Sequence, residues 1–449
     1  MENLEGHLIE DWVDYNKSII HSISSQYYVK KGIDAFDNFN ASETVPNTVT
    51  SSYPHALSLA KILFTNIQEK KNKKKFRVLE CGSGSGMFAR YFLMAIQELG
   101  FLDKVEFFLS DISSLSLLQI RQRGILKDFQ EGVHYHFIQL TLPDFDSASD
   151  IEGNPVCLED LEMVIANYVL DVLPMLPLKI KENGKFEKLQ LKIVGDHGLG
   201  ELDLLSHTQF LSQVKIEEKW ESYDLLQASP LERKYFEIFQ ESNYNKPLGF
   251  NAKYNYLALA VIDNVMARLN DDGLFYILDI PAKLENQSRN YIIFANSIAN
   301  FLNEPLFLYF AHSLKIPVLV EKDHLFTRLL FIKTRALNTN LEFAFDNEFK
   351  KTNNMNLYYE LIQLINIVKS PQSVEVLRFL VHKLQEIDGK SALSITSQGL
   401  YCEVMQDYKS ALSCYYKAQA IDFFNECLLD TKITRVNSIL KQKTTYQII

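Results

Sequence analysis

The residues best equipped for chemistry lie in one stretch, FRVLECGSGSGMFARYFLMAI from Phe76 to Ile96, where an apolar run of strand length passes directly into Gly82, Gly84 and Gly86 and then into a helical pattern. Glycine at alternate positions lets the backbone turn tightly and lets a ligand lie against it with no Cβ in the way, while the helix that follows offers free N–H groups at its first turn. A nucleotide-like ligand suits such a turn. Spacing narrows the choice. The dinucleotide pattern GxGxxG requires a glycine where Met87 stands, and Gly86 comes one position early, so hydride chemistry is disfavoured.

The run Glu80-Cys81-Gly82-Ser83-Gly84-Ser85-Gly86 after a strand resembles motif I of the class I S-adenosylmethionine-dependent methyltransferases. ANYVLDVLPM, Ala166 to Met175, is similar to the A-N-E-x-x-D-A-L-P segment of the MidA-type protein arginine methyltransferases, which take part in mitochondrial complex I assembly. FFLSDISSLSLLQIRQR from Phe107 to Arg123, TSSYPHALSLAKIL from Thr50 to Leu63 and the Gly273 to Asp279 pattern resemble further parts of that family, so the likeness spans roughly residues 30 to 335.

The resemblance implies a Rossmann-like fold with a seven-stranded, mostly parallel sheet, S-adenosylmethionine as cofactor, and methyl transfer to a protein, with arginine as the family's acceptor. It implies cofactor contacts from Glu80, Gly82, Ser83, Gly84, Gly86, Asp111, Ile112 and Asn167. Asp111 would accept hydrogen bonds from both ribose hydroxyls, for which a carboxylate has the capacity, and Glu80 would lie near the cofactor's cationic amino group. The alternative for Asp111 is a helix N-cap before Ser113 to Gln119. Two departures bear on the acceptor: Tyr168 stands where the family has Glu, and Asp279-Ile280-Pro281 where it has Asp-Tyr-Gly. A carboxylate there would orient a guanidinium, so arginine specificity is affected more than methyl transfer.

Methyl transfer from a sulfonium needs an aligned, desolvated nucleophile and often a group that holds its proton. Asn167 ends a candidate strand at the sheet edge where open α/β folds bind ligands, which assigns it to acceptor positioning, and Asp171 is the runner-up for acid/base work. Each also has a structural reading, Asn167 as a turn or cap and Asp171 as a solvated first-turn carboxylate. His134 and His136 share a strand face, but no third ligand has recognisable spacing, so no metal site is expected.

These residues need a scaffold. Candidate strands are Phe76–Glu80, Val105–Ser110, His134–Gln139, Met163–Asn167, Leu274–Asp279 and His324–Lys333, with Leu306–Tyr309 readable as strand or helix end. Helical spacing marks Gly86–Leu99, Ser113–Arg123 and Tyr254–Leu269, which makes a doubly wound α/β domain over 71–336, preceded by a helical region at 1–70. Residues 178–251 interrupt the alternation. They read as a lid, with Gly195, Gly198 and Gly200 allowing movement, or as a β-extension. The polar segment 337–356 reads as a linker to an all-α tail, 357–449, in which Ile-Asp pairs ending at Asp388 and Asp422 stand 34 residues apart, the tetratricopeptide period. Gly399, Ala411, Tyr415 and Ala418 occupy that motif's packing positions.

The 449 residues carry 46 basic and 56 acidic side chains, which disfavours nucleic acid as a partner, and the Lys70 to Lys75 run reads as a solvated loop. A protein partner or substrate held by the tail, or a homodimer contact there, fits better. Five scattered cysteines without a CxxC pair, no visible targeting segment and no membrane span point to a cytoplasmic protein. A non-catalytic adaptor that keeps the methyltransferase fold is the competing reading.

Overall fold

The computed structural model describes residues 7–36, 50–68, 70, 75–195, 210–282, 289–294, 296–322, 326–334, 337–351, 354–367, 374–423 and 429–446. Its strands in chain order are β1 (His7–Asp14), β2 (Phe76–Cys81), β3 (Val105–Asp111), β4 (Tyr135–Thr141), β5 (Asp144–Asp150), β6 (Leu161–Asn167), β7 (Leu176–Ile180) and β8 (Phe186–Gly195). Then follow β9 (Lys215–Ser222), β10 (Asn251–Tyr254), β11 (Leu269–Asp279), β12 (Tyr291–Phe294), β13 (Ser297–Asn300), β14 (Val318–Lys322) and β15 (Thr327–Ile332).

The central sheet runs β14-β15-β11-β6-β2-β3-β4-β5. It has eight strands where seven were expected. Two strands stand outside the sequence candidates: β14, which pairs antiparallel with β15, and β5, an antiparallel edge strand whose polar sequence DFDSASD buries only Phe145 and Ala148 well and therefore carries no strong apolar signal. β4, β3, β2, β6 and β11 pair in parallel and β15 lies antiparallel between β11 and β14. Leu306–Tyr309 belongs to the helix Glu304–Ser313, which Asn303 caps by accepting from the Leu306 N–H.

Alternation along the strands divides the core into two layers, as period 2 requires of a sheet covered on both faces. Val78, Phe107, Met163, Ile165, Leu274 and Tyr276 pack beneath the helices Tyr53–Ile67 and Met87–Glu98. Their neighbours Leu79, Phe108, Val164, Phe275 and Ile277 pack on the opposite side, under Tyr256–Arg268 and Glu304–Ser313.

The excursion at 178–251 is a β-extension. β8 pairs antiparallel with β7, β9 and β1, so the N-terminal region expected to be helical contributes a strand, His7–Asp14, to this second sheet. Gly195 ends β8, while Gly198 and Gly200 lie outside the described residues. The helix Pro230–Ser242 closes the extension and starts at a capping box in which Ser229 and Glu232 satisfy each other's backbone N–H groups.

The segment expected to be a polar linker is helical over Thr339–Phe345 and continues as a π-helix through Asp346–Lys351. Leu341, Phe345 and Phe349 enter the core layer beneath Tyr53–Ile67 and Met87–Glu98, and Glu348 binds Lys61 at 3.0 Å and Ser58 at 3.0 Å. Three apolar residues spaced four apart in an otherwise polar stretch are enough to bury one face. Beyond it lie the helices Asn354–Ile367, Val374–Ile387, Ala392–Val404, Tyr408–Gln419 and Leu429–Tyr446, each packed on the next. A Cβ at Gly399 would meet the Tyr415 ring at 2.5 Å, which is why glycine stands where these two helices meet. Lys390 pairs with Glu98 at 2.5 Å and ties the tail to the α/β core.

Candidate functional site

β2 lies between β3 and β6, so the chain order reverses at β2 and the three carboxyl ends form the crevice where open α/β sheets bind ligands. A cavity of about 260 Å³ opens there. Its walls include Glu80, Gly82, Ser83, Gly84, Asp111, Ile112 and Asn167, bringing together seven of the residues singled out from sequence. Gly86 and Asp171 are not among its lining residues.

Gly82, Gly84 and Gly86 all have left-handed backbones, with φ of 70°, 50° and 76°. A Cβ at Gly82 would stand 2.7 Å from Val169 Cγ2, whereas Gly86 caps the helix Met87–Glu98 with its back to Ile120. The turn is tied across the sheet edge by Ser83 N–H donating to Ser110 O at 2.8 Å.

The Asp111 carboxylate accepts from Gly84 N–H at 3.1 Å and from Ser113 N–H at 2.9 Å. Asp111 lines the cavity and accepts the Ser113 N–H just ahead of the helix Ser114–Gln122, but the N-cap expected of it is supplied by Ser113. Burial pushes its carboxyl up to about 6 against the pull of these backbone donors. Glu80 is buried, with Oε2 unpartnered, and burial followed by the nearby Asp111 raises its carboxyl well above the ordinary range. Ser83 Oγ is also buried without a partner.

Asn167 Oδ1 lies 3.0 Å from His55 Nε2. Asp171 is not on the cavity wall: its carboxyl hydrogen-bonds to that of Asp279, and burial raises it to about 7. Asp279 accepts from Leu170 N–H at 3.1 Å, so the two acids brace the loop after β6. Tyr168 adopts φ 53° and packs edge-on against Phe326.

Sequence reasoning missed the roof. Ser24, Ser25 and Tyr28 of the helix Ile19–Lys31 and Phe36 beyond it line the cavity, and the Phe36 ring lies 3.1 Å from where a Gly84 Cβ would be. The spacing of Ser24 and Tyr28 on one helical face was the available signal, and it is not specific. Among the described residues no group of three His, Cys, Asp or Glu could hold a metal. His136 instead hydrogen-bonds Glu106 at 3.0 Å.

Two buried carboxylates beside a turn that admits no Cβ suit a ligand with cationic groups and a sugar, and this is the chemistry of S-adenosylmethionine. Residues 58–277 match the Methyltransf_28 family model, described as "Putative S-adenosyl-L-methionine-dependent methyltransferase". The central domain is an S-adenosylmethionine-dependent methyltransferase domain and S-adenosylmethionine is its cofactor.

Among solved structures the chain is similar to a Burkholderia thailandensis protein crystallised with S-adenosyl-homocysteine, at 14% identity and TM-score 0.48 over 72% of this chain and 88% of that one. It is similar to a second, native structure from the same organism, at 15% identity and TM-score 0.46 over 74% and 90%. A third similarity is to the N-methyltransferase NodS of Bradyrhizobium japonicum, at 8% identity and TM-score 0.31 over 69% and 98%. No curated protein matches the chain.

Proposed function

We propose that the chain holds S-adenosylmethionine through Glu80, Gly82, Ser83, Gly84, Asp111, Ile112 and Asn167 and transfers its methyl group to a protein acceptor recruited by the C-terminal helices, with Gly86 shaping the turn from behind. The observation that carries this reading is the pair of buried acids, Glu80 and Asp111, on the wall of one cavity beside a left-handed glycine turn. The bound cofactor supplies a methyl group already activated on sulfur.

The chain's own part is alignment and exclusion of water. Tyr28 and Phe36 roof the cavity, and Asn167 stands at the β6 end where cofactor and acceptor meet. Arginine is the less favoured acceptor, because Tyr168 replaces the acid that would hold a guanidinium and Asp171 is engaged with Asp279. That engagement also supports the second reading, an adaptor that binds the cofactor without turnover, with a tetratricopeptide-like tail as its docking surface.

Thermal shift with S-adenosylmethionine and S-adenosylhomocysteine tests the cofactor assignment, and transfer of labelled methyl from S-adenosylmethionine to native lysate proteins tests the rest. A shift with labelled protein product supports the enzyme. A shift with no product under any condition supports the adaptor.

A further inference from the structure

His55 is fully buried on the helix Tyr53–Ile67, with the rings of Phe88, Tyr276 and Phe349 at 5.6, 5.7 and 6.5 Å. Among the described residues its ring makes a polar contact from Nε2 to Asn167 Oδ1 at 3.0 Å, while His55 Nδ1 and Asn167 Nδ2 are both buried without partners. This geometry selects a tautomer. With the proton on Nε2, His55 donates to Oδ1 and leaves only a lone pair facing the aromatic cage. With the proton on Nδ1, a buried N–H would have no acceptor, which costs about 1–3 kcal/mol. Burial holds the ring neutral, bringing its pKa down to about 3, and Arg328 acts in the same sense. The Asn167 amide is therefore fixed with its oxygen occupied, while its buried N–H pair, on a residue of the cavity wall, has no partner.

The ligand chemistry follows from the same wall. None of the described lining residues is Lys, Arg or His, so an anionic group in the cavity must be held by neutral donors. S-adenosylmethionine carries one such group, its methionyl carboxylate, and its ribose falls to Asp111 in the function proposed above, on which this inference rests. We propose that His55 is a positioning residue that presets Asn167 as a hydrogen-bond donor to the methionyl carboxylate of the bound cofactor. Ser83 Oγ, buried and unpartnered, is a second neutral donor on that wall.

Calorimetric titration of the full chain with S-adenosylhomocysteine and with 5′-methylthioadenosine, which lacks the amino-acid portion, tests this. His55→Phe keeps an aromatic ring without a donor, and His55→Gln restores one. Expected is a loss of about tenfold in S-adenosylhomocysteine affinity for His55→Phe, as for one hydrogen bond to a charged group, with methylthioadenosine affinity unchanged and His55→Gln recovering most of the loss. Asn167→Asp keeps its shape and its contact with His55 but sets a carboxylate against a carboxylate. It should lose S-adenosylhomocysteine selectively even if His55→Phe fails to fold. ¹⁵N spectra of histidine-labelled wild type should show an Nε2-protonated neutral ring across neutral pH.

Equal losses for both ligands, no loss for either, or an Nδ1-protonated ring would overturn the proposal. Absence of any binding of either ligand by the wild type would instead overturn the cofactor assignment on which it rests.

Discussion

The backbone N–H of Gly84 donates to Asp111 Oδ2 at 3.1 Å, so the acid that ends β3 holds the glycine turn that follows β2. The second oxygen takes Ser113 N–H, and the remaining lone pairs are what the cavity can use. Asp111→Ala should abolish the thermal shift produced by S-adenosylhomocysteine and lower the melting temperature of the free protein by an amount equivalent to about 1–3 kcal/mol, because two backbone donors lose their partner. An undiminished shift in this variant would count against the ribose role.

Asp111 also makes cofactor binding depend on pH. Its carboxyl is raised from 3.8 to about 6, chiefly by burial, so between those values the folded chain holds a proton that the unfolded chain has lost. This group's contribution to the stability of the free protein therefore falls as pH rises through that window. Ligand contacts that need the ionised form strengthen in the same direction. S-adenosylhomocysteine affinity should weaken by up to about tenfold per unit as pH drops below about 6, and Asp111→Asn should flatten the profile. Calorimetry across that range reads both.

Gly82→Ala joins two penalties at one site, a left-handed φ of 70° and a Cβ 2.7 Å from Val169. A destabilisation of about 1–3 kcal/mol is expected, together with loss of cofactor binding, since Val169 lines the cavity and must move. Chemical denaturation and calorimetry on the same preparation measure the two effects. A stable variant with normal affinity would show that the turn is not held as described.

Asp171 and Asp279 form a buried carboxyl pair that keeps a proton: Asp171 is raised to about 7, chiefly by burial, and Asp279 further, by burial and by Asp171. For Asp171 the folded chain binds the proton more tightly than the unfolded one, so stability from this pair is present at acid pH and declines as pH approaches and passes about 7. Asp171→Asn carries no titrating proton, and its amide oxygen can still accept from the protonated Asp279 carboxyl. Melting temperatures should match the wild type near pH 5 and exceed it near pH 8. The opposite order would remove the pair.

Phe349→Ala tests whether the helical segment after β15 is part of the α/β core. Phe349 is 3% exposed and packs against Phe345, Tyr276 and His55, so truncation should cost about 3–5 kcal/mol and lower the melting transition of the central domain as well as that of the tail. A tail that loosens alone, read by limited proteolysis, would mark it as independent.

The glycine run after an apolar strand, the acid at the end of β3 and the amide at the end of β6 were legible from residue order alone, because a parallel strand and its turn are local and the strands' alternating faces are written in period 2. The partners of these residues were not. His55 stands 112 positions from Asn167 and Asp279 more than a hundred from Asp171, and no local pattern encodes which buried acid will turn to a ligand and which to another acid. The same limit hid β1 as a strand of the extension and 339–351 as part of the core, since short segments with a few apolar residues take their structure from the surface that receives them. Local sequence determined the nucleotide-type turn and the element order around it. Packing alone decided that the cavity would be roofed by the N-terminal helix and backed by a neutral histidine, because burial and contact depend on distance in space.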